Sequence, residues 1–214
     1  MSDILLSVKD LKVYFPVRSA GWLGSPRQLK ALDGVSFDVR AGESLGVVGE
    51  SGCGKSTLGR AVLQLIPPTA GQVLWLGEDI AGLGDRAMRP RRRDLQLVFQ
   101  DPLASLDPRM TVGDIIAEPL RVFQPALKPD QIRHRVENLM GTVGLLPPMI
   151  NRYPHEFSGG QCQRIGIARA IVLKPKLVVC DEPVSALDVS IQGQIINLLE
   201  HMQRELGLAF LFIA

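Results

Sequence analysis

Long apolar runs are missing from this sequence. No run approaches the roughly 18–20 consecutive apolar residues that a membrane-spanning helix requires, although 46% of the 214 residues are hydrophobic. The first residues, MSDILLSVKD, carry charge early and lack the apolar centre of a secretory signal. Any role at a membrane is therefore expected to pass through a partner protein that spans it.

Cysteine and histidine are scarce. The three cysteines are Cys53, Cys162 and Cys180, and no two of them form a CxxC pair. This pattern argues against a disulfide framework and against a zinc site, and it favours a reducing, cytosolic setting. The three histidines are scattered without ligand spacing, so we assign no metal site to histidine.

An excess of charge of either sign is also missing. The 24 basic and 22 acidic side chains leave a net charge of +2, whereas a nucleic-acid-binding domain usually carries a clear basic excess. No nucleic-acid partner is therefore expected. The densest basic run, RPRRR at residues 89–93, is interpreted as a solvated face, with a dedicated partner site as the alternative.

The chain does contain an alternation of strand-like and helix-like segments, which is typical of an α/β fold with a mainly parallel sheet. Residues 16–30, rich in Pro, Gly and Ser, are predicted to form a loop. The predicted strands lie within residues 4–15, 35–40, 44–49, 71–80, 95–100, 176–181 and 208–214, and the clearest helices within 56–66 and 190–206.

Residues 101–157 differ from the rest of the chain in composition and in the spacing of their apolar residues. Proline is frequent there, and the apolar spacing is helical, as in QIRHRVENLMGTVGLL. We interpret this segment as a helical subdomain inserted into an α/β core. The core is then formed in two parts, by residues 1–100 and by residues 158–214.

A phosphate-binding loop is indicated by GESGCGKST, which fits G-x-x-x-x-G-K-[ST] between a strand and a helix. Its glycines let backbone N–H groups point at phosphate oxygens, and the helix N-terminus adds positive charge. Lys55 is predicted to reach the terminal phosphates, Ser56 to ligate Mg²⁺ and Thr57 to donate to phosphate. The alternative is a chance glycine turn. The predicted nucleotide-binding residues of the loop are Gly49, Ser51, Gly52, Cys53, Gly54, Lys55, Ser56 and Thr57.

Two carboxylates end the apolar run LVVCDE. Ligands of open α/β sheets bind at the carboxyl ends of the strands, and neighbouring strand residues point to opposite sides. Asp181 is therefore predicted to hold Mg²⁺, and Glu182 to orient and polarise an attacking water. The alternative is a strand that simply ends in acidic surface residues.

Further motifs occur in a fixed order around these two. FSGGQ contains Ser158, Gly159, Gly160 and Gln161 before a helical segment, VFQDP contains Gln100, and SALD ends at Asp188. Together with the phosphate loop and the carboxylate pair, they resemble the motifs of ATP-binding-cassette (ABC) ATPases over essentially the whole chain. The surrounding sequence, for example RYPHEFSGGQ, is similar to the dipeptide/oligopeptide (and nickel) importer subfamily, and to its second ATPase subunit in particular.

The resemblance implies a fold and an assembly. The fold is a P-loop NTPase of the ABC type, with a mainly parallel core sheet, an N-terminal antiparallel β part and an inserted helical subdomain. The assembly is a head-to-tail dimer with a homologous ATPase subunit. In it, one subunit offers signature and D-loop residues to the nucleotide that the other subunit holds. These residues acting in trans are Ser158, Gly159, Gly160, Gln161 and Asp188.

The resemblance also implies roles within one subunit. Gln100 would contact both Mg²⁺ and the attacking water, and it would act in catalysis together with Glu182 and Lys55. Adenine would stack on Phe15, with Tyr14 as the fallback; core packing is the alternative for either ring. Cys162 stands where relatives usually carry arginine, a departure expected to weaken a surface contact.

The implied function is that of an ATP- and Mg²⁺-dependent ATPase subunit that powers an importer for di- or oligopeptides. Its implied partners are two transmembrane permease subunits and, through them, a periplasmic or extracellular substrate-binding protein. The implied location is the cytoplasmic face of the cell membrane, where the subunit is peripheral. A less favoured alternative is an ABC ATPase outside transport.

In the family a switch histidine follows the strand LAFLFIA, so the chain is expected to be cut short just before it. A nucleotide-binding fragment with little hydrolysis is therefore also kept as an alternative.

Overall fold

The computed structural model describes residues 4–17 and 27–214. Within them, eight strands form two four-stranded sheets. The strands are β1 (Ile4–Val17), β2 (Arg27–Arg40), β3 (Ser44–Val47), β4 (Ala70–Trp75), β5 (Glu78–Asp79), β6 (Leu95–Val98), β7 (Leu177–Asp181) and β8 (Ala209–Ile213). The helices are α1 (Lys55–Val62), α2 (Asp85–Met88), α3 (Val112–Phe123), α4 (Pro129–Thr142), α5 (Gly159–Ile171) and α6 (Val189–Leu206). Short 3₁₀ turns lie at Arg91–Arg93, Pro147–Asn151 and Pro154–Glu156.

The first sheet is antiparallel, in the order β2-β1-β4-β5. The loop predicted for residues 16–30 is wrong at both ends, because Pro16 pairs with Gln28 and Val17 with Arg27 in a long hairpin. Proline is tolerated there because the pairing of β1 with β4 ends at Lys12, so none of the described strands pairs with the other side of Pro16. The middle of that predicted loop, residues 18–26, lies outside the described residues.

The run predicted as one strand at residues 71–80 is a tight hairpin instead. Leu76 and Gly77 both have positive φ, 51° and 83°, between β4 and β5. Two such residues form the two-residue turn whose twist suits a β-hairpin. Periodicity alone missed the turn because Leu76 continues the apolar pattern of the strand.

The second sheet is parallel throughout, in the order β3-β8-β7-β6. The apolar run at 208–214 contributes β8, which lies between β3 and β7 with only Phe212 partly exposed. Parallel strands end at the same edge, so the residues that follow Val47, Val98 and Cys180 converge there. This arrangement places the segments of the predicted site side by side.

The helices cover the parallel sheet. Helix α1 ends at Val62, before the predicted stop at Pro67, because Gln64 adopts a left-handed conformation with φ 54°. Helices α3, α4, α5 and α6 share one apolar cluster with β7 and β8. The helical character of residues 101–157 is as predicted, whereas the domain boundaries at 100 and 157 stay a prediction. Among the described residues, no helix combines the length and the apolar character needed to cross a membrane.

Candidate nucleotide-binding site

The predicted phosphate loop lies between the end of β3 and the start of α1. Gly54 caps the helix with φ 99°, and a Cβ on it would lie 2.2 Å from the Ala31 carbonyl oxygen of β2. A side chain there would therefore face both a strained backbone and a backbone clash. The sequence did not reveal that the loop packs directly against the backbone of β2.

Lys55 lies beneath this loop and is 8% exposed. Its ammonium donates to the carbonyl oxygens of Gly49, at 2.6 Å, and Glu50, at 2.9 Å. An ammonium has three donors, so one stays available to an anion in the loop. These contacts hold the positive charge at the start of the loop in which the sequence predicted a bound phosphate.

The phosphate loop and the first carboxylate meet directly. The Ser56 hydroxyl donates to Asp181 Oδ1 at 2.8 Å, across 125 residues of sequence. Asp181 is 4% exposed at the end of β7. A hydroxyl and a carboxylate are oxygen ligands of the kind that Mg²⁺ prefers. No group of three His, Cys, Asp or Glu ligands occurs in the described part of the chain. Phosphate and water oxygens would therefore have to complete the coordination shell, as is usual for Mg²⁺.

The second carboxylate faces a different partner. Gln100 Nε2 donates to Glu182 Oε2 at 2.7 Å. Glu182 adopts a left-handed backbone with φ 44°, and its N–H donates to the Ile213 carbonyl oxygen at 2.9 Å. A non-glycine residue in this region costs about 1–2 kcal/mol, and such outliers cluster at functional sites. The two neighbouring carboxylates thus have separate partners, but the strand alternation expected from the sequence is not the reason, because Glu182 follows β7 in a left-handed conformation.

The signature residues begin α5. The Ser158 hydroxyl accepts from the Gln161 N–H at 3.4 Å, and the Ser158 N–H donates to Gln161 Oε1 at 2.9 Å. This capping box occupies the Gln161 side chain. Ser158 and Gly159 are exposed, so the serine O–H and the free N–H groups of the first turn face outward. Within the described residues no hydrogen bond joins this turn to the phosphate loop, so the two predicted anion sites are separate within one chain.

The remaining predicted trans residues lie nearby. A Cβ on Gly160 would be 2.7 Å from Ile191 Cγ2 of α6, so the signature turn packs closely on that helix. Asp188 precedes α6, and its exposed side chain caps no backbone N–H. Its carboxylate is therefore not engaged by its own helix.

The two aromatic candidates for adenine stacking differ in their surroundings. The Tyr14 hydroxyl donates to the Asp33 carboxylate, and the Lys30 ammonium lies 5.3 Å from the centre of its ring. Phe15 is partly buried against the apolar cluster of the antiparallel sheet. Tyr14 is thus already engaged on its ring and on its hydroxyl, which leaves Phe15 as the candidate; its role stays a prediction.

Cys162 is not a surface residue, and the expectation of a weakened surface contact is wrong. It is 1% exposed, and its Sγ lies 3.5 Å from the Pro154 carbonyl oxygen. Residue 162 points inward because the first turn of α5 packs on the segment that leads into it. Burial raises the pKa of both the Cys162 and the Cys180 thiols.

These environments predict which thiol reacts. Cys53, exposed in the phosphate loop, should be alkylated by a maleimide at native pH, whereas buried Cys162 and Cys180 should react only after unfolding. Saturating ATP with Mg²⁺ should slow the labelling of Cys53 because nucleotide covers the loop. Peptide mass spectrometry over a time course measures both effects. Equal labelling of Cys53 with and without nucleotide would contradict the assignment of this loop, and a Cys53→Ala variant controls for other sites.

Comparison with known proteins decides the family. Residues 32–185 match the sequence model of a family described as ABC transporter. The chain belongs to this family. The match spans the phosphate loop, Gln100, the signature turn and both carboxylates.

Similar curated proteins of the family have a narrower description. The chain is 59% identical over 99% of its length to the oligopeptide transport ATP-binding protein OppF of Salmonella typhimurium. It is 52% identical over 99% of its length to the oligopeptide transport ATP-binding protein AppF of Bacillus subtilis. It spans 64% of the length of each of these relatives.

Similar solved structures confirm the ABC-type fold. The chain superposes with a TM-score of 0.85, at 28% identity, on the ATP-binding cassette MJ0796 in a dimeric post-hydrolysis state bound to ADP and Pi; the match covers 98% of this chain and 87% of that one. The TM-score is 0.80, also at 28% identity, with cbiO1 from Clostridium perfringens, part of the transporter complex cbiONQ; that match covers 99% of this chain and 78% of the other.

Proposed function

We propose that the protein is an ATP-binding and ATP-hydrolysing subunit that powers an ABC importer for di- or oligopeptides. The observation that carries the reaction is the convergence of Lys55, the Ser56–Asp181 pair and the Gln100–Glu182 pair at one edge of the parallel sheet. The names of relatives that are 52–59% identical support peptide import.

ATP binding follows from the phosphate loop. Its N–H groups and the third donor of Lys55 bind the phosphates, while Phe15 stacks on adenine. Ser56 and Asp181 would hold Mg²⁺, and Gln100 would join them as an oxygen ligand. The ion, when bound, neutralises the charge that develops on the phosphate oxygens.

Hydrolysis depends on Glu182 and Gln100. Both side chains can reach one water, because the amide and the carboxylate are already 2.7 Å apart. The Glu182 carboxylate accepts the proton as the water attacks the γ-phosphate, and ADP leaves with the electrons of the broken P–O bond. Gln100 orients the water and reports the state of the nucleotide to the helical segment that follows it.

The exposed signature turn is available to bind the nucleotide of a second subunit. Ser158, Gly159 and Asp188 are exposed, and the partly exposed Gly160 and Gln161 complete the signature turn. We place them against the nucleotide of a second, homologous ATPase subunit in a head-to-tail dimer. The similar MJ0796 cassette is described as dimeric, which supports this arrangement.

Peptide import needs partners that cross the membrane. We propose two transmembrane permease subunits and a substrate-binding protein outside the membrane, with this subunit peripheral at the cytoplasmic face.

In the test, the natural subunit and its permease are reconstituted in liposomes with ATP and Mg²⁺ supplied to the ATPase side. We expect ATP-dependent peptide uptake and peptide-stimulated ATP hydrolysis when the binding protein is present. If the rate of ATP hydrolysis does not change when peptide is added, and Ni²⁺ is taken up instead, the proposed cargo is wrong.

A further inference from the structure

An arginine outside the proposed catalytic contacts connects two parts of the proposed site. Arg169 lies near the end of α5, the helix that begins at the signature turn. Its Nη1 donates to the Ser105 carbonyl oxygen at 2.7 Å, and its guanidinium carbon lies 5.8 Å from the centre of the Phe99 ring. Phe99 directly precedes Gln100. One guanidinium therefore spans both ends of the segment that starts with the catalytic glutamine.

That segment is a compact turn. The Ser105 N–H donates to the Asp101 carbonyl oxygen at 3.2 Å, and the Ala104 N–H donates to Asp101 Oδ1 at 3.0 Å. Leu106, which follows, is 3% exposed in the apolar cluster shared with α5. The turn is therefore held together internally and anchored at its end in the core.

The surroundings of Arg169 suit a guanidinium better than the ammonium of a lysine. Desolvation by burial lowers the pKa of the guanidinium, and the negative charge of Glu118 on α3 partly offsets this effect. A partly buried guanidinium is stabilised by a hydrogen-bond acceptor in its plane and an aromatic ring near its face. The Ser105 carbonyl and the Phe99 ring supply these two partners. Lysine carries the same charge, but its ammonium is not planar and lacks the forked arrangement of N–H donors of a guanidinium.

The same helix carries the signature turn at its other end. Ser158 and Arg169 are three turns apart on α5, a distance of about 16 Å along the axis at 1.5 Å per residue. A helix packed in a core moves as a rigid body, so a displacement at one end reaches the other. The Gln100–Glu182 hydrogen bond of 2.7 Å completes the connection to the water-activating carboxylate.

We infer that Arg169 is a positioning residue that couples the Gln100 segment to the signature helix. It would make the placement of the signature against the second subunit's nucleotide depend on the placement of Gln100 at the first nucleotide. This inference rests on the proposed ATPase function, because it assigns a coupling between the two halves of that site. Arg169 itself is not among the residues proposed to bind the nucleotide or the attacking water.

The test compares variants of the natural subunit assembled with its partners. Arg169→Lys should lower kcat for ATP hydrolysis about 10- to 100-fold, the scale of a misplacement remote from the chemistry. It should leave the Kd of monomeric subunit for fluorescent ATP within twofold. ATP-dependent dimerisation, measured in a Glu182→Gln background, should weaken by a similar factor. Phe99→Leu should lower kcat in the same way, and the double variant should be no slower than the slower single variant.

A matched control is available on the same helix. Arg164 is also partly exposed and also donates to a carbonyl oxygen, that of Val143 at 2.6 Å. Its partners lie just after α4 and on α6 rather than in the Gln100 segment. Arg164→Lys should change kcat less than threefold. All rates are taken well below the melting temperature of each variant, which separates positioning from a loss of folded protein.

Three results would overturn the inference. One is an unchanged kcat in Arg169→Lys. Another is a fall of nucleotide affinity at the phosphate loop in parallel with kcat. The third is full additivity of Arg169→Lys and Phe99→Leu, since independent residues add. A wild-type protein without ATP hydrolysis is a different outcome, because it rejects the proposed function itself.

Discussion

Replacing Glu182 by glutamine is expected to slow ATP hydrolysis by about 10²–10⁴-fold while ATP binding persists. The range is what a positioned general base contributes. Glutamine keeps the size of the side chain and can still meet the Gln100 amide, whose Nε2 lies 2.7 Å from Glu182 Oε2. It cannot accept the proton of the attacking water. Because bound ATP then persists, we also expect a longer-lived ATP-dependent dimer, measured by size-exclusion chromatography with and without Mg²⁺.

The control for this variant is an exposed glutamate remote from the site. Glu200→Gln on α6 removes a charge 3.9 Å from Arg204 at the surface and should leave hydrolysis within twofold. Single-turnover measurement of phosphate release separates chemistry from product release. Hydrolysis by Glu182→Gln at the wild-type rate would assign the base to another residue and would reject the proposed role of the Gln100–Glu182 pair in activating water.

Replacing Lys55 by alanine is expected to weaken ATP binding at least about tenfold, and by as much as about 100-fold. The loss of one charge-assisted hydrogen bond costs about 1.5–3 kcal/mol, and each 1.4 kcal/mol is about a tenfold change in Kd. The variant also leaves the carbonyls of Gly49 and Glu50 without the donor that now bonds them at 2.6 and 2.9 Å. The phosphate loop should therefore become less ordered as well as less positive. Equilibrium titration with a fluorescent ATP analogue measures the change.

A second lysine separates local from general charge effects. Lys176 lies just before the first residue of β7, at the opposite edge of the sheet from Asp181, and pairs with Asp94 at 3.9 Å. Lys176→Ala removes the same charge from the protein and should leave the Kd for ATP unchanged. If both alanine variants weaken binding equally, the effect is long-range electrostatics, and the placement of the Lys55 ammonium beneath the phosphates is wrong.

The sequence predicted well where function depends on consecutive residues. The phosphate loop is one short segment between β3 and α1, and its glycines and lysine can be read directly from the pattern. Strand β7 was equally clear, because the apolar run LVVC ends at a carboxylate, and all five residues of the strand are buried. The apolar run that forms β8 was recognised as a strand for the same reason.

Prediction was weaker where the outcome depended on a partner segment. Pro16 looked like the start of a loop, but pairing with Gln28 keeps it in a strand. Cys162 was expected at the surface because relatives usually carry arginine at this position, but its side chain is buried. The contact between Gly54 and the Ala31 carbonyl has no signal in the sequence, since no short-range pattern relates those two positions.

By itself the sequence determined the chemical groups of the site and the order of the strands and helices that carry them. Phosphate-loop geometry, strand alternation and helix capping are local, so a few neighbouring residues suffice to specify each. Only the tertiary structure decided which groups meet: Ser56 with Asp181, Gln100 with Glu182, and Arg169 with the segment from Phe99 to Ser105. These pairs come together because parallel β-strands end at one edge of the sheet and α5 packs beneath it. That placement results from packing of the whole core, which no single segment encodes.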